Sequence, residues 1–406
     1  MLIHWACDND IHPPLFGATQ RVFGLARGMA TRADVRALCV VPNRSRGARA
    51  ERVQGVELRR VKSWHTSVAW RLERAGVAPL FVAEGGHRTR AAAYRAVLGG
   101  GADALLCDLA LTGMFAPGGD AVRAYHAHNV EADRWRSSAP RVWRPRHWGE
   151  RLAALERRAV ADSDLCVACT EEDAALLRSL YGARDVEVVA NGYDETSLAP
   201  ATVAQRAAAR RRLGIAEDAW VAAFVGGDWE PNHEAVAWLV AHVFPRLARE
   251  NVILLVIGAV AWRLRGRTEP WLRAHAETPD LAALLAAADA GLNPVASGGG
   301  SNVKVPTYLA MGLAVVSTPF GLRGYAPLAG AVLRAERDAF ADALAAKPRG
   351  GAARGEAPPA ALADFAWGTL GARLADALAA RRAGRGTALP SGKGNVAGVA
   401  HQKESA

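Results

Sequence analysis

Short apolar runs alternate with stretches of helical period along most of the chain. In the first half the candidate strands are Leu2 to Ala6, Val35 to Val41, Val56 to Val61, Ala104 to Cys107, Val122 to His126, Leu165 to Ala168 and Val186 to Val189. Candidate helices include Thr19 to Ala30, Arg88 to Leu98 and Trp148 to Ala161. Strands separated by helices of this length predict a parallel sheet covered on both faces. The pattern breaks at Ala190-Asn191-Gly192-Tyr193-Asp194, and residues 195–218 read as a polar, Arg-rich connection. It then restarts with strand Trp220 to Val225, a helix from about Asn232 to Arg249, strand Val252 to Ile257, helix Asp280 to Asp289, strand Ala290 to Pro294, a helix from about Asn302 to Met311, and strand Ala314 to Ser317. The expectation is an α/β protein of two tandem Rossmann-like, doubly wound domains, residues 1–195 and 196–365. A terminal helix over 366–383 and a Gly-, Ala- and Arg-rich tail over 384–406, expected to be disordered, complete the chain. Ligands of such sheets lie beyond the carboxyl ends of the strands, so the cleft between the halves is the expected site.

Composition narrows the class. The 406 residues are 50% apolar and 22% charged, with mean hydropathy near zero, as in a globular protein. The longest near-continuous apolar stretch, Val252 to Trp262, has about half the residues of a membrane-spanning helix. Met1-Leu2-Ile3-His4-Trp5 lacks a basic leader and reads as a first strand, which predicts a cytoplasmic protein. Cysteines 7, 39, 107, 166 and 169 are too scattered for a disulfide framework. Cys166 and Cys169 match C-x-x-C spacing, but they lie in an apolar run and are expected to be buried strand residues. The net charge of +10 is almost all Arg, because Lys occurs only at 62, 304, 347, 393 and 403. Lys304 therefore stands out beside a glycine run.

That run, Asn293-Pro294-Val295-Ala296-Ser297-Gly298-Gly299-Gly300-Ser301-Asn302-Val303-Lys304, follows a strand and precedes a helix. Glycines let backbone approach a ligand closely, a cap at Ser301 or Asn302 would open the helix, and Lys304 adds a full positive charge. Together they predict a diphosphate site, against the plainer reading of a flexible loop. A second strand-turn-helix segment, Phe224-Val225-Gly226-Gly227-Asp228-Trp229-Glu230-Pro231-Asn232-His233, presents amides at the matching strand end, unless it is a tight turn capped by Asn232.

The order of these segments resembles the retaining glycosyltransferases of the GT-B fold, family-4-like. The resemblance is carried by Gly17-Ala18-Thr19-Gln20-Arg21, His126-Ala127-His128-Asn129-Val130-Glu131, Asn191-Gly192-Tyr193-Asp194, Gly226-Gly227 with Asn232, Val256-Ile257-Gly258, and Gly299 through Lys304 to Ser317-Thr318-Pro319. It covers roughly residues 1–380 and implies a two-domain fold whose last helix crosses back to the first domain. It implies a nucleoside-diphosphate sugar as donor, a glycan, lipid-linked or small-molecule acceptor, and no cofactor or metal. His128 and Lys304 are then the catalytic candidates. Gly17, Gly226, Gly227, Asn232, Gly299, Gly300, Ser301, Asn302 and Thr307 are candidates for donor binding. His126 competes with His128, which the string His-Asn-Val-Glu favours.

Two departures stand out. Thr307 occupies a position where family members commonly carry a carboxylate, and Asp228, Trp229, Asn232 and His233 fill the stretch where many carry a basic pair. These departures keep a non-catalytic nucleotide- or sugar-binding relative open, and a nucleotide-sugar epimerase has a similar two-domain form. Six Arg and three Trp between 134 and 151 leave a peripheral membrane or acceptor contact open beside the plainer loop and solvated helix start. No nucleic-acid motif accompanies them. Asp8-Asn9-Asp10 matches a metal-binding D-x-D string of another fold and is assigned to a loop.

Overall fold

The computed structural model describes residues 1–7, 9–45, 47–79, 92, 94, 101–108, 120–138, 147–276, 280–351 and 357–387. The first domain holds an eight-stranded sheet, β1 (Leu2–Cys7), β2 (Asp34–Pro42), β3 (Ala50–Val53), β4 (Val56–Ser63), β5 (Ala104–Asp108), β6 (Val122–His126), β7 (Leu165–Ala168) and β8 (Val186–Val188), in the order β3-β4-β2-β1-β5-β6-β7-β8. All neighbours are parallel except the β3–β4 hairpin at the edge. The second domain has six parallel strands, β9 (Trp220–Val225), β10 (Val252–Ile257), β11 (Leu272–His275), β12 (Ala290–Asn293), β13 (Ala314–Ser317) and β14 (Leu333–Arg334), ordered β11-β10-β9-β12-β13-β14. The two doubly wound units expected from the apolar runs are present.

The terminal helix, Trp367–Thr387, does cross back. Its Trp367, Leu370, Leu374 and Leu378 complete the first domain's core with Ile3, Trp5, Val22 and Leu25. The approach to helix α1 (Gly17–Met29) is close enough that a Cβ on Gly371 would collide with the Leu25 carbonyl, and one on Gly28 with the Trp367 carbonyl. Only glycine fits at both faces.

Several expected boundaries need correction. Residues 195–218 are not merely a polar connection, because a helix spans Val203–Leu213, capped by Thr202. Its periodicity is concealed because Arg210 occupies a buried position, where it donates to Ala287 O, Ala219 O and Asp289. The long helix expected over 232–249 is Glu230–Trp238, then a π turn over Leu239–Val243, then Phe244–Leu247. Pro245 cannot donate to the ladder, and the wider turn absorbs the break. The helix expected over 280–289 is Leu281–Leu285, and the Asp289 carboxylate instead accepts from the Val221 N–H at the start of β9. Helices Glu131–Ser138 and Glu171–Tyr181 were not anticipated. Most of the helix expected over 88–98, Asp8, residues 139–146 of the Arg- and Trp-rich run, and the tail from residue 388 lie outside the described residues.

Candidate functional site

The carboxyl ends of both sheets meet across a narrow seam. From the second domain comes the glycine run, with Gly298 at φ +119° and Gly300 at φ +64°. From the first comes the loop after β6. A Cβ on Gly300 would stand 2.6 Å from the His128 carbonyl, and one on Gly299 would stand 2.8 Å from Asn129 Oδ1. Nothing larger than glycine allows this approach. The N-terminus of α1 joins the seam, where a Cβ on Gly17 would lie 3.7 Å from Val303. The Gly226–Gly227 turn faces Phe16, 4.0 Å from the Gly227 position.

Lys304 is half-buried beneath the run. Its Nζ donates to Asn232 Oδ1 at 2.9 Å and lies 5.1 Å from the Phe224 ring centre. No ion pair among the described residues includes it, and burial pulls its ammonium down to about 8. Asn232 Nδ2 donates in turn to Gly227 O, so one amide links the turn to the lysine. Asp228, whose charge would oppose an anion here, is held by His233 at 2.6 Å and Arg263 at 3.6 Å.

Two expected helix caps change. The helix begins at Lys304 with Val303 as an uncapped N-cap, so neither Ser301 nor Asn302 caps it. Ser301 Oγ accepts from the Asn191 N–H, its carbonyl accepts from Asn191 Nδ2, and Asn302 Nδ2 donates to Gly321 O at 3.4 Å. Likewise Asn232 caps nothing, because Trp229 is the N-cap of the second helix and Asn232 is its third residue. Thr307 is 5% exposed and its hydroxyl donates to Val303 O at 2.8 Å, which leaves the oxygen able only to accept.

On the facing lobe a chain of polar groups was not visible in the sequence. Arg21, 1% exposed, donates through Nε to His126 Nε2 at 2.9 Å and through Nη1 to Val189 O, Ala190 O and Asn191 Oδ1. An arginine only donates, so His126 Nε2 must accept and its proton sits on Nδ1, which donates to Asp108 Oδ1 at 2.8 Å. His128 Nε2 reaches the same oxygen at 2.5 Å. Burial alone would raise the Asp108 carboxyl, but His128 and His126 hold it well below the usual carboxylate range. Burial, aided by Arg21, lowers His126 to about 3 and keeps it neutral. His126 is fully buried and belongs to the core, whereas His128 keeps 9% exposure at the seam. Asp108, His126 and His128 could by spacing hold a cation, their donor atoms lying within 4.8 Å of one another. Both His126 nitrogens are already used, however, and Arg21 supplies the local positive charge.

The D-x-D reading is answered by Asp10, whose carboxylate is engaged by the buried Arg60 at 2.8 Å. All five cysteines are buried and none forms a disulfide. Arg134, in the Arg- and Trp-rich stretch, stacks 5.2 Å over Trp229 of the opposite lobe. No helix among the described residues is long and apolar enough to cross a membrane.

Residues 220–347 match the protein family described as "Glycosyl transferases group 1". The matched span takes in the whole sheet of the second domain, β9 to β14. Of the residues expected at the site, Lys304 and the donor-binding candidates Gly226, Gly227, Asn232, Gly299, Gly300, Ser301, Asn302 and Thr307 fall within the matched span, whereas Gly17 and His128 lie outside it. A 73-residue stretch is 47% identical to a D-inositol 3-phosphate glycosyltransferase of Kribbella flavida, covering 18% of this chain and 16% of that protein. The chain thus matches about one sixth of that relative's length. The fold is similar to sucrose-phosphate synthase from Thermosynechococcus elongatus, with TM-score 0.64, 16% identity, and 95% and 97% of the two chains covered. It is also similar to the catalytic domain of starch synthase IV from Arabidopsis thaliana bound to ADP and acarbose, with TM-score 0.65, 13% identity, and 94% and 99% covered.

Proposed function

We propose that this protein is a glycosyltransferase that moves a sugar from a nucleoside diphosphate to an acceptor held by the first domain. The reading includes retention at the anomeric carbon, no metal ion, and a cytoplasmic reaction with a glycan, lipid-linked or small-molecule acceptor. The observation that carries it is Lys304, a buried ammonium with no anionic partner among the described residues, set beneath a glycine run that faces His128 across the seam. Breaking the bond to the anomeric carbon leaves negative charge on the departing diphosphate. A preorganised cation and close backbone at that position lower the barrier, because they strengthen as the charge develops. Lys304, steadied by Asn232, takes that role. Gly226, Gly227, Gly299 and Gly300 line the approach, and Gly17 faces it from the first domain. His128 meets the sugar from the other side, where an imidazole can hold a hydroxyl. Ser301 and Thr307 keep the segment in shape rather than touching the donor, and Asn302 steadies the neighbouring loop.

The test is release of nucleoside diphosphate from UDP-, GDP-, ADP- and dTDP-sugars, with and without candidate acceptors. Acceptor-dependent release supports transfer. Conversion of the sugar with donor alone would make the protein an epimerase, and binding without turnover would make it a non-catalytic relative.

A further inference from the structure

We propose that Asp108 is a positioning residue for His128, fixing the imidazole as the Nε2–H tautomer so that Nδ1 is left as an acceptor at the seam; this rests on the transferase reading for its use, though not for its geometry. Asp108 ends β5 directly opposite His126 in the β5–β6 register, and one oxygen, Oδ1, receives both histidines. The two rings stand edge to face, 4.9 Å apart, and Trp5 closes the far side of His126 at 5.0 Å. Arg21 is the back wall of this arrangement. Its N–H fixes His126 as the Nδ1–H tautomer, which prevents that ring from offering Asp108 anything but a donor. The carboxylate, ionised and immobile, then accepts from His128 Nε2. No other hydrogen bond to the His128 imidazole is formed among the described residues, and its Nδ1 is not sealed among the buried unpartnered atoms.

Arg21 also grips the connection between the domains through Val189 O, Ala190 O and Asn191 Oδ1, and Asn191 is tied to Ser301 of the glycine run. The orientation of His128 is therefore built from the same residues that set the two lobes against each other. His128 would touch the sugar; Asp108 and Arg21 act through it. The step assigned is a hydrogen bond from a sugar hydroxyl to Nδ1, with no net proton transfer.

The experiment is long-range nitrogen–proton NMR on the full chain labelled with 15N-histidine, with His128 assigned by loss of its signals in His128→Gln. The wild type should show His128 protonated on Nε2 and His126 on Nδ1, with or without added UDP. In Asp108→Asn, with circular dichroism unchanged, His128 should become a mixture of tautomers. With a donor and acceptor that turn over, the same variant should lower kcat on the order of 100-fold while leaving the donor KM within about twofold. Wild-type His128 protonated on Nδ1, or an unchanged tautomer in Asp108→Asn, would overturn the proposal. The tautomer measurement needs no sugar donor, so absence of transfer would count against the functional reading alone.

Discussion

The two lobes handle charge in opposite ways. In the first, each strong charge at the seam is already engaged by more than one hydrogen bond: Asp108 is shared by two histidines, Arg21 is distributed over an imidazole and three oxygens, and Glu131 takes Arg134 and Asn129. In the second, Lys304 is buried against an amide and an aromatic ring. A buried cation without an anion is costly, and a ligand phosphate relieves that cost. The contrast suggests that the first lobe is preset for orientation and the second is completed by its ligand.

The largest expected effect breaks the first half of the contrast. His128→Ala should lower turnover by roughly 10²- to 10³-fold, the size of one lost transition-state hydrogen bond, while nucleoside-diphosphate affinity, measured by calorimetry, stays within a few fold. Equal loss of both would mean that His128 only shapes the donor pocket. Next, Gly371→Val should destabilise the protein by several kcal/mol, because overpacking a closed backbone contact costs about 1–3 kcal/mol or more. Thermal unfolding followed by tryptophan fluorescence checks it, and an unchanged midpoint would deny that the terminal helix is seated tightly on α1.

The second half of the contrast is sharpened by pH. The Lys304 ammonium loses its proton as pH rises through about 8, so UDP affinity should fall above that value, by up to about tenfold per pH unit. Lys304→Met should show no such decline. The smallest effect lies in the first lobe. Burial, with Glu131 nearby, raises Glu156 to about 7, and its carboxylate caps the backbone of Glu131 and Ala132. A carboxyl raised in the folded state contributes stability that is present below its unfolded value near 4.5 and lost as pH climbs to about 7. Melting temperature should carry that component between those limits, and Glu156→Gln, which cannot titrate, should lack it.

The fold was largely legible because a buried parallel sheet writes itself as runs of Val, Ile, Leu and Ala, as at Val252–Ile257 and Trp220–Val225. Val203–Leu213 is hidden because arginine occupies its buried position, and the helical pattern over 232–249 runs on past the real break because Pro245 interrupts the ladder without interrupting the apolar period. At the site, the glycine run and Lys304 announced themselves by local spacing. Asp108 did not, since it lies 18 residues from His126 and only the β5–β6 register joins them. A lone acid ending an apolar strand was the available signal. The family pattern implies ligand contacts for Ser301 and Thr307; their hydroxyls also bond neighbouring backbone, and nothing in a sequence shows that.

The central claim is that Lys304 and the glycine run hold a diphosphate, and it is tested most directly by calorimetric titration of UDP, GDP, ADP and dTDP into the wild type and Lys304→Met. Loss of a charge-assisted hydrogen bond of about 1.5–3 kcal/mol predicts that the nucleotide bound by the wild type binds roughly 10- to 100-fold more weakly to the variant. Equal affinity in the two proteins, or no binding of any of the four to the wild type, would contradict the account.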